Sequence, residues 1–125
     1  MDGWHLTADL GGCDSAQPWM VEPDALRALC VAAVRGSGLT PVAELFHTFP
    51  PAQDGSPGGV TGVVLLAESH LAVHTWPERG AVTLDAFVCN HTEDNSAHAE
   101  ALMQALLRAM RPAHVEQQRL RRRTP

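Results

Sequence analysis

The chain has 125 residues and a formal net charge of −5, with 45% apolar and 18% charged residues. That length and balance point to a single domain, residues 1–125, with enough apolar side chains to bury a core. All nine basic residues are arginine, and the absence of lysine excludes both a Walker-type phosphate loop and a pyridoxal phosphate enzyme, each of which needs one.

Arg119, Arg121, Arg122 and Arg123 crowd the last seven residues. Without them the body carries five arginines against 14 carboxylates, a charge of −9. No basic face is left for nucleic acid, and the arginine-rich end is expected to be a solvated tail. No apolar run nears the ~20 residues that span a bilayer. The opening Met1-Asp2-Gly3-Trp4-His5 has neither the basic start nor the apolar stretch of a secretory signal. Cys13, Cys30 and Cys89 make an odd count without metal-like spacing, which suits a reducing, cytoplasmic setting.

Residues 5–10 alternate as a first strand, and residues 11–15 are turn chemistry. A helix is predicted over 23–35. Pro23 suits its first turn, Asp24 its positive end, and Gly36 or Gly38 its stop. Leu26, Leu29, Cys30, Ala33 and Val34 form one apolar stripe, so Cys30 is a core residue. Residues 41–49 read as a strand and residues 50–59 as an irregular loop dense in proline and glycine. Two β-rich runs follow, 60–67 and 71–76, broken at Glu68-Ser69-His70. A tight turn spans 77–80, and another strand spans 81–89. A second helix runs over 96–110 with Ser96 as N-cap, ends before Pro112, and precedes a last strand over 113–118.

This order predicts an α+β fold, a two-layer sandwich of one antiparallel sheet with two main helices on one face. The other sheet face is left for packing in a homodimer, because strands 60–66 and 82–88 carry apolar residues at both parities.

Residues 60–89 concentrate a serine, two histidines, two glutamates, a tryptophan and a cysteine around two chain breaks. Glu68-Ser69-His70 interrupting an apolar strand is unusual, since such residues avoid strand interiors unless held. From pattern alone two readings stay open, a hairpin rim with polar tips or a reactive site.

Glu68-Ser69-His70-Leu71, then His74-Thr75-Trp76-Pro77-Glu78, then Asp85-Ala86-Phe87-Val88-Cys89 resembles the prokaryotic-type S-adenosylmethionine decarboxylase proenzyme, a pyruvoyl-dependent family. His5-Leu6 with Asp9 and Cys13-Asp14, Phe46-His47-Thr48-Phe49 and Gly59 to Gly62 extend the likeness over nearly the whole chain. The resemblance implies that Ser69 attacks the carbonyl carbon of Glu68. An N-to-O acyl shift and β-elimination then leave a β chain of residues 1–68 and an α chain of residues 69–125, whose N-terminus is a pyruvoyl group. That carbonyl condenses with the substrate amine as a Schiff base and takes the electrons that pyridoxal phosphate would otherwise accept. It needs no lysine.

By the same resemblance His74 accepts the proton in processing, and Cys89 protonates the decarboxylated carbon. Thr61 stands where the family pattern has a serine that supports the acyl shift. Phe49, Trp76 and Glu78 look like the substrate shell, two aromatic faces for base and sulfonium and a carboxylate for ribose hydroxyls. The implied product is the aminopropyl donor of spermidine and polyamine biosynthesis. The alternatives are the same scaffold acting on ornithine or arginine, and an uncleaved, non-catalytic partner subunit. Eight residues of straight strand span about 26 Å, so Thr61 and Ser69 meet only if the strand folds back or if Thr61 serves the site of a second copy. A site shared across a homodimer of cleaved αβ protomers is expected. Three positions depart from the family pattern: Asn90 replaces a glycine, the loop over 50–58 is longer, and Arg119-Leu120 stands for Arg-Gly. His5, His47, His70, His91, His98 and His114 show no metal-binding spacing, and no metal is assigned.

Overall fold

A computed structural model describes residues 1–90 and 93–125. The strands are β1 (Asp2–Gly11), β2 (Pro41–Thr48), β3 (Val60–Leu66), β4 (Ser69–Trp76), β5 (Ala81–Cys89) and β6 (His114–Arg123), and the helices are α1 (Pro23–Gly36) and α2 (Ser96–Met110). They form one sheet in the order β2-β3-β4-β5-β1-β6, and every neighbouring pair is antiparallel. Short turns link β3 to β4 and β4 to β5, the latter through one turn of 3₁₀ helix at Pro77–Arg79. The first strand lies inside the sheet, between β5 and the last strand.

Strand alternation sorts the side chains into two faces. Leu6, Ala8 and Leu10 of β1, Leu71 and Val73 of β4, and Val82, Leu84, Ala86 and Val88 of β5 are buried. They share one core with Leu26, Cys30 and Val34 of α1 and Leu102, Met103, Leu106 and Met110 of α2. Both helices therefore cover one face, as their single apolar stripes predict. Burial in that core pushes the Cys30 thiol up to about 12, so it is packing rather than chemistry.

The opposite face is open. On β2 and β3 it is apolar, with Leu45, Val63 and Leu65, but β5 presents Thr83, Asp85 and Phe87. The expectation of apolar residues at both parities thus holds for β3 and fails for β5, where only Phe87 fits.

The largest departure is at the C-terminus. The arginine-rich end is no loose tail: β6 pairs with β1 from His114 to Arg123. The backbone of β1 has one partner in β5 and supplies free groups on its other side, which the end of the chain satisfies. Arg119 and Arg121 stack over the Trp4 ring at 4.6 and 5.6 Å, and Arg121 reaches the Asp2 carboxylate at 3.0 Å. These contacts are exposed and contribute little energy each. The same pairing starts β1 at Asp2, three residues ahead of the predicted strand. The N-cap of α2 is Asn95 rather than Ser96.

Candidate active site

The two-residue connection Ala67-Glu68 closes the β3–β4 hairpin, with Leu66 opposite Ser69. Glu68 adopts φ +56°, the left-handed region, which costs a side-chain-bearing residue on the order of 1–3 kcal/mol unless its surroundings impose it. The carbonyl that precedes Ser69 therefore belongs to a strained residue at a hairpin tip. The Ser69 hydroxyl oxygen accepts a 2.9 Å hydrogen bond from the backbone N–H of Cys89. A cleft of about 360 Å³ opens beside them, lined among others by Thr40, Leu66, Glu68, Ser69, Cys89 and Asn95.

A second cleft, of about 390 Å³, lies at the far end of the same hairpin and gathers Phe49, Thr61, His74, Trp76 and Glu78. Thr61 and His74 face each other across β3 and β4, with Oγ1 3.1 Å from Nδ1. The His74 and Trp76 rings lie 6.0 Å apart. Phe49 is 49% exposed and Trp76 38% exposed, so both present aromatic surface rather than filling the core. The long loop after β2 closes on itself, because the Phe49 N–H donates to the Gly59 carbonyl at 3.0 Å. Phe49, at its start, lines the same cleft as Trp76.

The seven residues singled out in the sequence thus fall into two groups. Ser69 and Cys89 meet, and Phe49, Thr61, His74, Trp76 and Glu78 meet. Within one protomer the groups do not. Ser69 and His74 are five positions apart along β4, about 17 Å at strand rise. The chain does fold back between Thr61 and Ser69, but the fold-back carries Ser69 to the tip and leaves Thr61 at the other end.

A third cluster escaped the sequence reading. On the open face His5 Nε2 lies 3.2 Å from Asp85 Oδ1, Arg122 Nη1 lies 3.5 Å from His5 Nδ1, and the His5 and His70 rings are 6.4 Å apart. Burial first, then repulsion from His5, holds His70 below its ordinary 6.5; Arg122 adds to this and Asp85 opposes it. Only the placement of β1 beside β5 brings these residues together, and nothing local in the sequence signals that. Among the described residues no group of three His, Cys, Asp or Glu is arranged to hold a metal ion. His91 lies outside them.

Comparison with known proteins gives the family. The family model described as S-adenosylmethionine decarboxylase matches residues 4–123. The chain belongs to the S-adenosylmethionine decarboxylase family. A relative from Aquifex aeolicus, named S-adenosylmethionine decarboxylase proenzyme, is 35% identical over 116 residues, 93% of this chain and 77% of that protein. One of the same name from Parasynechococcus marenigrum is 38% identical over 114 residues, 90% and 81% of the two chains. The crystal structure of the adenosylmethionine decarboxylase from Aquifex aeolicus superposes with a TM-score of 0.81 at 31% identity, covering 94% of this chain and 88% of that one. A crystal structure from Trypanosoma brucei, 13% identical with a TM-score of 0.58 over 91% of this chain and 44% of its own, shares the fold.

A pyruvoyl group, the prosthetic group implied for an S-adenosylmethionine decarboxylase, fits the residues present. Ser69 follows the left-handed Glu68 at a hairpin tip, open to a cleft, with a backbone donor on its hydroxyl oxygen.

Proposed function

We propose that this protein decarboxylates S-adenosylmethionine and that it makes its own prosthetic group by cutting between Glu68 and Ser69. The observation that carries the proposal is the Ser69 hydroxyl at the tip of the β3–β4 hairpin, held by the Cys89 N–H behind the left-handed Glu68. A bond forms between Ser69 Oγ and the Glu68 carbonyl carbon, the amide C–N bond breaks, and the freed amine takes the hydroxyl proton. Removal of the Ser69 Cα proton then expels the Glu68 carboxylate. Water replaces the nitrogen as ammonia, leaving chains 1–68 and 69–125. Once present, the pyruvoyl carbonyl supplies the electron sink for decarboxylation. Formed from Ser69 itself, that group would stay bonded to His70 at the start of β4, and Cys89 would deliver a proton beside it.

Phe49, Trp76 and Glu78 bind the nucleoside end of the substrate, and His74 and Thr61 serve processing. Because these five lie at the opposite end of the hairpin from Ser69, the working site is composite. Two protomers pack through their open sheet faces about a two-fold axis that lies between the sheets and crosses the strands. Such an axis exchanges the hairpin ends, so the tip of each copy meets the His74 cleft of the other. The exposed Leu45 and Leu65 on that face support this packing. Three unpaired cysteines suit a reducing, cytoplasmic setting. No helix among the described residues is long and apolar enough to cross a membrane.

Intact mass spectrometry of the purified protein tests the processing. The expected result is two chains breaking before Ser69, the second lighter by one ammonia than a plain serine terminus, with Ser69→Ala uncut. Carbon dioxide release from carboxyl-labelled S-adenosylmethionine, ornithine and arginine tests the substrate, and only the first is expected to react. A single uncut chain in active material overturns the proposal.

A further inference from the structure

The backbone of Cys89 is gripped on both sides. Its N–H donates to Ser69 Oγ at 2.9 Å. Its carbonyl accepts from the Asn95 side-chain amide, also at 2.9 Å. The next peptide N–H, that of Asn90, donates to the Asp2 carbonyl at 2.7 Å. The peptide plane joining Cys89 to Asn90 is therefore held by its oxygen and by its nitrogen, and rotation about either bond flanking the Cys89 Cα breaks one of these contacts.

Asn95 is free for this task for a visible reason. It occupies the N-cap of α2, where a side-chain oxygen usually accepts a helix N–H, yet it makes no such bond. Asp94 does the capping instead, its Oδ1 accepting the Ser96 N–H at 2.9 Å. The Asn95 backbone N–H is fixed by Asn90 Oδ1 at 2.8 Å, which aims its amide at Cys89. A residue that gives up its ordinary local bond to hold a neighbouring carbonyl at the edge of the Ser69 cleft has a job in that cleft.

We propose that Asn95 is a positioning residue for self-cleavage: its amide holds the Cys89–Asn90 peptide plane and through it the Cys89 Cα, so that the Cys89 N–H on the other side of that Cα orients the Ser69 hydroxyl toward the Glu68 carbonyl. This rests on the self-cleavage reading above. The hold matters because the attacking oxygen has to meet the carbonyl carbon along one direction, and misplacement of about 1 Å costs on the order of a hundredfold in rate.

The test compares Asn95→Asp and Asn95→Ala with the wild type in cell-free synthesis, following conversion of the full-length chain to two fragments by electrophoresis. Asp matches Asn in shape and caps a helix as well, so melting temperature should stay close to that of the wild type, but it puts an acceptor where a donor is needed. Cleavage is expected to slow roughly tenfold or more in both variants near pH 8. Near pH 5 the new carboxyl, raised by facing a carbonyl, begins to carry a proton and regains a donor. Relative to the wild type at the same pH, Asn95→Asp should then recover while Asn95→Ala does not. A variant that cuts at the wild-type rate, or equal slowing of both variants at both pH values, overturns the assignment. A wild-type chain that never cuts overturns the proposed function and this assignment with it.

Discussion

Thr61 and His74 stand directly opposite each other on β3 and β4, with the threonine hydroxyl 3.1 Å from the imidazole Nδ1. The contact orients the ring and leaves Nε2 as its other nitrogen. It also gives the threonine a role that its hydroxyl alone can perform. Thr61→Ser keeps the hydroxyl and should cut at close to the wild-type rate. Thr61→Val keeps the shape and loses the hydroxyl, and self-cleavage should slow by about one to two orders of magnitude, read as the fraction of uncut chain over time.

The separation of Ser69 from His74 within one protomer makes a sharper prediction. Made alone, the Ser69→Ala chain and the His74→Ala chain should each remain whole. Co-expressed, they are expected to form mixed dimers in which one of the proposed composite sites has both residues. Part of the His74→Ala chains should then cut, and decarboxylation should return. Failure of such mixtures to cut, with dimers present by sedimentation, would show that each protomer is self-sufficient.

Glu68 offers a trade between stability and processing. Glycine adopts φ +56° without penalty, so Glu68→Gly placed in an uncut Ser69→Ala chain should raise stability by about 1 kcal/mol, measured as a urea midpoint. In the chain that retains Ser69 the same change should slow cleavage, because the attacked carbonyl sits in a relaxed residue.

On β3, Gly62 lies beneath the Phe46 ring of β2. A Cβ at Gly62 would stand 2.1 Å from that ring, and Phe46 packs against the core. The ring covers a bare backbone and pins the register of the pair. Gly62→Ala should displace it and cost about 1–3 kcal/mol, visible in chemical denaturation. Because the shift moves β2, it should also weaken the substrate binding proposed at Phe49 more than turnover.

His70 predicts an acid-side instability. Burial and the neighbouring His5 hold its imidazole below its ordinary 6.5, so the folded state favours the neutral ring more than the unfolded chain does. Its contribution is complete above pH 6.5 and falls as pH drops from there through the lower folded value. Urea midpoints from about pH 7.5 to about pH 5.5 should decline less steeply in His70→Gln than in the wild type. Equal slopes would assign the decline to other groups.

Much of this was readable in the sequence for identifiable reasons. Stripes such as Leu26-Cys30-Val34 and alternation such as Val82-Leu84-Ala86 carry their periods locally, so the helices, the middle strands and the two-layer fold followed. The Glu68-Ser69-His70 break left a polar rim and a reactive site both open, and only the family resemblance gave that break, Phe49 and Trp76 their expected roles. What stayed hidden is long-range. A run of arginines reads as solvated because nothing in it reports that β1 has an open edge to fill. His5, His70 and Asp85 are far apart in sequence and adjacent only through the β1–β5 ladder. The division of the site into two clefts depends on where the hairpin turns, at Ala67-Glu68, which composition alone does not set.

The interior position of β1 bears on what a broken backbone would leave behind. A cut after residue 68 assigns β1, β2 and β3 to one fragment and β4, β5 and β6 to the other, yet β1 runs between β5 and β6, and β3 borders β4. The two pieces are thus woven through three ladders and a common interior. Severing the covalent thread liberates a reactive end while every layer stays laced to the next, and the halves part only if the whole domain melts.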